Sequence, residues 1–169
     1  SDYLGRLSGN NGREGVSPLG YTARWLTEEK KDYFNSFIAG HPKGHAMQLW
    51  EWGDIKGRTG WKPWRLILED DNGPWAAATV LERQLPLLKT PIFYCPRGPV
   101  VEMTDKDKLE ATLREIEKLA QQRKAILLKI DPDIPKSNET VVKLLLDAGF
   151  RQVDKGKNFE GVQPKFVFR

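Results

Sequence analysis

Arg97 stands between two prolines in the stretch YCPRGPVV, Tyr94 to Val101, and neither proline carries a backbone donor. The run before it, TPIFYC, is β-branched and aromatic, so a half-buried strand is expected to stop there and leave Arg97 on a stiff, extended turn. A guanidinium held this way can grip a carboxylate or phosphate bidentately at little entropic cost. An ion pair within its own domain is the alternative. Asp131, in KIDPD, falls at the end of an apolar run, where a carboxylate must be paired or reachable by solvent. It could orient or deprotonate a substrate amine, or cap the turn into the next helix. Lys56 is spaced to share a helix face with Leu49, Trp52 and Gly53, beside apolar neighbours rather than opposite them. A snorkelling lysine would look the same.

Other chemistries find less support. His41 and His45 are four apart but split by Pro42 and Gly44, so no helix can present both to one metal, and none is expected. Cys95 is the single cysteine, which rules out an intrachain disulfide and a cysteine-based metal site. The sequence has no G-x-S-x-G elbow, phosphate-binding G-x-x-x-x-G-K-[ST] loop or G-x-G-x-x-G fingerprint. Five of the six tryptophans lie between Trp50 and Trp75, where they could stack on bases or simply pack a core edge.

The positioning elements are expected as follows. Residues 1–24 read as a tail or arm, dense at first in Gly, Ser and Asn, and 25–169 as a single domain. Thr27 opens a short helix with Phe34, Phe37 and Ile38 on one face, and QLWEWGDIKGRTG forms a second. WKPWRLILED and PWAAATVLERQL pair as a hairpin through Asn72-Gly73. After the TPIFYC strand, Thr104 starts a helix with a stripe of Leu109, Leu113, Ile116, Leu119 and Ala120. KAILLKID is a central strand, NETVVKLLLDAGF a helix closed by Gly149, and VQPKFVFR a last strand. The fold class is α/β, a mixed central sheet with helices on its faces. The net charge of +4 is spread along the chain, without a basic stripe, and no apolar run reaches bilayer-spanning length. A reducing, cytoplasmic setting is expected.

Taken in order, QLWEWGDIKGRTGWKPWRLILED, AAATVLERQLP, YCPRGPVVE, LLKIDPD, LLLDAGF and VQPKFVF resemble the Fem family of peptidoglycan bridge-forming aminoacyltransferases, from about His45 to Arg169. Family members resemble two tandem acetyltransferase-type (GNAT) domains, and the chain looks like the first, with the second absent. The resemblance implies attack by a stem-peptide amine of a peptidoglycan precursor on the ester of an aminoacyl-tRNA. The precursor is held through a nucleotide or lipid diphosphate. It implies that Lys56 contacts the diphosphate end, that Trp52, Tyr94 and Arg97 line or brace the cleft, and that Asp131 lies near the amine as a candidate base. No cofactor is implied. The tRNA channel would belong to the missing domain.

Two rival readings remain. An acyl-CoA N-acetyltransferase of the same fold would need a donor-rich turn of the pattern [QR]-x-x-G-x-[GA], and CPRGPVVEMTD replaces it with prolines. A noncatalytic nucleic-acid module would rely on basic and aromatic surface.

Overall fold

The computed structural model describes residues 20–134, 138–153 and 165–168. Its strands are β1 (Thr22–Trp25), β2 (Lys62–Asp70), β3 (Gly73–Gln84), β4 (Pro91–Arg97), β5 (Val100–Val101), β6 (Leu127–Pro132), β7 (Arg151–Val153) and β8 (Lys165–Phe168). The helices are α1 (Lys31–Gly40), α2 (Trp50–Gly57), α3 (Lys106–Gln122) and α4 (Glu139–Asp147). Together the strands make one mixed sheet in the order β1-β2-β3-β4-β6-β8-β7, with β5 alongside β3. Every described pairing is antiparallel except β4 with β6.

The hairpin forms as its sequence requires. Asp70 pairs with Gly73, the Asp70 carboxylate accepts from the Asn72 N–H at 2.8 Å, and Gly73 adopts φ 108°. That φ belongs to the left-handed region that glycine enters without steric cost. Leu109, Leu113, Ile116, Leu119 and Ala120 are buried under the sheet, and with α4 they cover one face. Gly149, at φ 98°, follows the end of α4. Alternate residues of β2 and β3, Ile67 and Ala77, point to the other face, against Phe34 and Ile38 of α1 and Trp50 of α2. Helices α1 and α2 pack on β2 and β3, so the β4–β6 side of that face, where Tyr94 and Lys129 are only partly buried, is less covered.

Four differences from expectation have local causes. Residues 22–24, expected in the arm, join Trp25 as β1 and pair with Leu66–Glu69, and Tyr21 and Trp25 are buried in the core. Residues 1–19 lie outside the described residues. Helix α1 is preceded by a short 3₁₀ turn over Glu28–Lys30, and Thr27 makes no side-chain cap. Asp105, not Thr104, caps α3 by accepting from the Lys108 N–H, while the Thr104 hydroxyl donates to Glu102. Leu49 precedes α2 rather than sharing its face.

Candidate functional site

Strand β4 does not stop before the prolines. It runs alongside β6 to the pair Arg97–Pro132, although its pairing with β3 ends at Leu81–Tyr94. The next rung on that side would join Thr79 to Pro96, which has no N–H to give. Gln48 fills the gap. Its side-chain amide donates to the Thr79 carbonyl at 3.1 Å and to the Pro96 carbonyl at 2.6 Å, and its side-chain oxygen accepts from the Thr79 N–H at 2.7 Å. The Thr79 hydroxyl donates to the Gln48 backbone carbonyl at 2.5 Å. Gln48 is wholly buried, so its primary amide replaces a rung of the ladder inside the core. The sequence reading missed it. A proline where a strand needs a donor is the signal that such a residue must exist, although not which one.

Beyond this wedge the chain turns. Arg97 sits at φ 55° rather than in the extended conformation expected of it. Its N–H donates to Asp131 Oδ1 at 2.6 Å, and the Gly98 N–H reaches the Cys95 carbonyl at 3.4 Å. These bonds offset the cost of a left-handed arginine. Gly98 is obligatory, because a Cβ there would lie 2.7 Å from both Cys95 Sγ and the Gln48 amide.

Asp131 is 6% exposed and accepts a second bond, from the Tyr94 hydroxyl to Oδ2 at 2.7 Å. Tyr94 and Asp131 therefore meet on the less covered part of the sheet face, at the C-terminal ends of the parallel pair. Burial first, then the hydrogen bond and charge of Asp131, pushes the Tyr94 phenol well above its usual range, so it remains a protonated donor. Asp131 does not cap α4; Asn138 does, accepting from the Val141 N–H. The Arg97 guanidinium stays partly exposed, 4.0 Å from Asp133, whose backbone carbonyl accepts from Lys43 Nζ at 3.2 Å. Arg97 thus has a loose structural partner and an accessible face. Lys43 and Asp133 also escaped the sequence reading, since nothing in their spacing links them.

Lys56 and Trp52 form a second group on α2, with Lys56 Nζ 5.1 Å from the centre of the Trp52 ring. Trp61 joins the two groups. Its N–H donates to the Lys56 carbonyl at 3.2 Å, and its ring centre lies 6.4 Å from that of Tyr94. Lys129 on β6 covers the Tyr94 ring at 4.9 Å. The candidates therefore run diagonally across the sheet face, from Lys56 and Trp61 beside the start of β2, through Tyr94 on β4, to Asp131 at the end of β6. Arg65 braces this face of α2 by donating to the Trp50 carbonyl at 2.8 Å and to Asp54 at 3.0 Å. Gly53 leaves room for that guanidinium, since a Cβ there would lie 2.7 Å from it. His41 and His45 do not converge: each Nδ1 accepts from a backbone N–H two residues on, that of Lys43 and that of Met47.

A mixed sheet with one parallel pair at its centre and helices on both faces defines the GNAT-type fold. The GNAT domain of S. lividans PAT matches it with a TM-score of 0.56, covering 88% of this chain and 89% of that one at 15% identity, a likeness of fold alone. The FemAB family model matches residues 27–145, and the chain belongs to that family. It is 31% identical over 145 residues to the Lipid II:glycine glycyltransferase of Staphylococcus haemolyticus and 30% identical to that of Staphylococcus aureus, in each case over 84% of this chain. The solved structure of FemX matches with a TM-score of 0.73 and 28% identity, over 84% of this chain and 35% of that one. The chain spans about a third of the length of the curated relatives it matches, 34% of each.

Proposed function

We propose that this chain is the precursor-binding domain of a two-domain aminoacyltransferase that adds an amino acid to the stem peptide of a peptidoglycan precursor. The observation that carries the reading is the cluster of Tyr94, Arg97 and Asp131 at the ends of the parallel strands, reached from Lys56 along a partly open sheet face. Strand ends of this kind are where α/β folds place ligands. In this reading the precursor lies along the face with its diphosphate at Lys56 and its acceptor amine at Asp131. The relatives' name supplies the acceptor class, a lipid-linked precursor.

In the reaction, the amine nitrogen bonds to the ester carbonyl carbon of an aminoacyl-tRNA, the ester C–O bond breaks, and the tRNA hydroxyl leaves with a proton. Asp131 would orient the amine and receive its proton. Both its oxygens already accept hydrogen bonds, so orientation is the larger part of its role, and an activated ester needs little base assistance. Tyr94, kept protonated, would hold the carboxylate in place. Arg97 and Lys56 would supply charge-assisted donors to anionic parts of the precursor. The tRNA end would be held by the second domain.

Acetyl-CoA chemistry is disfavoured on a specific ground. Coenzyme pyrophosphates in this fold sit on free backbone donors at a strand-to-helix turn. Here Pro96 and Pro99 have none, the Arg97 N–H is taken by Asp131, and the Gly98 N–H by Cys95.

The test is calorimetric titration of the chain with a soluble nucleotide-diphosphate-linked muropeptide. Binding that weakens by about 1.5 to 3 kcal/mol in Lys56→Ala, the worth of one charge-assisted contact, supports the reading. Binding of acetyl-CoA in the micromolar range, with none of the muropeptide, would overturn it.

A further inference from the structure

The fold sorts charge in a way the linear sequence hides. The start of β2, the end of β3 and the starts of β4 and β6 all lie at one end of the sheet, as their registers require. That end carries exposed Lys62, Arg83, Lys89 and Lys124, and Glu82 among them is held by a bidentate bond from Arg123 at 3.0 Å, while Asp147 stands farther off at the end of α4. Asp70, Asp71, Asp131 and Asp133 lie at the opposite end, where Arg97 and Lys43 accompany Asp133. The basic end also bears apolar side chains in water. Leu87 is 96% exposed and Leu88 62%, both in the loop from β3 to β4, and Ile126, 45% exposed, is tied beside them by its N–H to the Pro91 carbonyl at 3.1 Å.

We propose that this end docks on the surface of an anionic lipid bilayer, with Leu87 and Leu88 entering the headgroup region and the surrounding lysines facing lipid phosphates. The proposal rests on the precursor-binding reading and extends it to the membrane in which a lipid-linked precursor is anchored. Charge complementarity selects the lipid: basic residues around exposed leucines match an anionic interface, whereas phosphate binding to nucleic acid has no use for two leucines at a loop tip. The geometry agrees with the site. Lys56 lies towards the basic end, since its carbonyl accepts from Trp61 just ahead of β2, and Asp131 lies at the other. A lipid diphosphate emerging from the bilayer would meet Lys56 first, and the stem peptide would run away from the membrane along β4 and β6 to Asp131. Each strand residue on that path advances it by about 3.3 Å.

The experiment is co-sedimentation of the chain with vesicles of phosphatidylcholine alone and of phosphatidylcholine with phosphatidylglycerol, in low and high salt. Lys89 and Lys124 have φ 50° and 58°, so asparagine, which tolerates that conformation, is the neutral replacement least apt to disturb the loops. Partition onto the anionic vesicles is expected, weakened by salt, about fivefold by each of Lys89→Asn and Lys124→Asn, and about tenfold or more by Leu87→Ala with Leu88→Ala. The leucine pair should leave binding of the soluble nucleotide-linked precursor unchanged, and Lys56→Ala should weaken that binding, so failure of one proposal is distinguishable from failure of the other. A chain that ignores anionic vesicles would overturn the docking surface. So would binding to bulk tRNA that the lysines govern while vesicle binding is indifferent to the leucines, or self-association that the leucine pair abolishes.

Discussion

Replacing Asp131 by asparagine and by alanine separates the bracing of the Pro-Arg-Gly-Pro turn from everything downstream of it. The carboxylate accepts from the Arg97 N–H at 2.6 Å and the Tyr94 hydroxyl at 2.7 Å. Asparagine keeps the shape and can still accept from Arg97, while its amide donates to a reoriented Tyr94 oxygen. Two charge-assisted bonds become two neutral ones, a loss of about 1 to 2 kcal/mol. Alanine removes both acceptors and leaves a buried backbone donor unpaired, so its cost should reach about 2 to 5 kcal/mol. For a chain of this size, Asn should lower Tm by roughly 2 to 8 °C, and Ala by more. Thermal and urea unfolding followed by circular dichroism measure both, and precursor titration of the folded fraction should show a loss in each. Two variants that melt with the parent would refute the bracing account, and an Asn variant costlier than Ala would refute the hydrogen-bond arithmetic.

Gln48→Leu should destabilise by about 3 kcal/mol or more, since it orphans the Thr79 N–H and the carbonyls of Thr79 and Pro96; denaturant titration checks it. Arg97→Lys should weaken precursor binding with little change in melting temperature, because its structural partner, Asp133, is distant and exposed; the reverse pattern would mark Arg97 as a packing residue. Alkaline stability has a definite sign. Burial raises the Cys95 thiol from 9.0 and, with Asp131, the Tyr94 phenol from 10.0, so the unfolded chain loses these protons first. Their contribution is complete below about pH 9 and is lost as pH rises, and Tyr94→Phe should flatten the decline above pH 10, as read from unfolding free energies against pH. Transfer from aminoacyl-tRNA by this chain alone should be undetectable in a product assay if, as we propose, the tRNA is held by a second domain.

Much of the fold was legible because periodicity reports burial: the α3 stripe, the Asn72-Gly73 hairpin and the glycine after α4 all follow from local pattern. Short strands escaped for the converse reason. β1 and β7 have too few residues to display alternation, and β5 has two, so they exist through pairing with β2, β8 and β3. In the site, the residue types were readable but their connections were not. Asp131 was recognisable as a carboxylate at a strand end, yet its hold on the Arg97 backbone depends on a register between β4 and β6 that no local pattern encodes. Gln48 is the clearest case: one glutamine in a short 3₁₀ turn, read from sequence as the first residue of a helix, carries no signal until Pro96 arrives opposite Thr79. The basic cluster is likewise a property of topology, since Lys62, Lys89 and Lys124 come to one end only once the sheet is assembled.

The most direct test of the account is a double titration of the soluble nucleotide-diphosphate-linked muropeptide into Lys56→Ala, Arg97→Lys and the combined variant, beside the parent chain. If one precursor spans both groups of residues, the parent binds, each single change weakens it, and the double change weakens it by nearly the sum, because the two contacts are far apart on one ligand. Parent binding that neither substitution alters would contradict the placement of the precursor along this face.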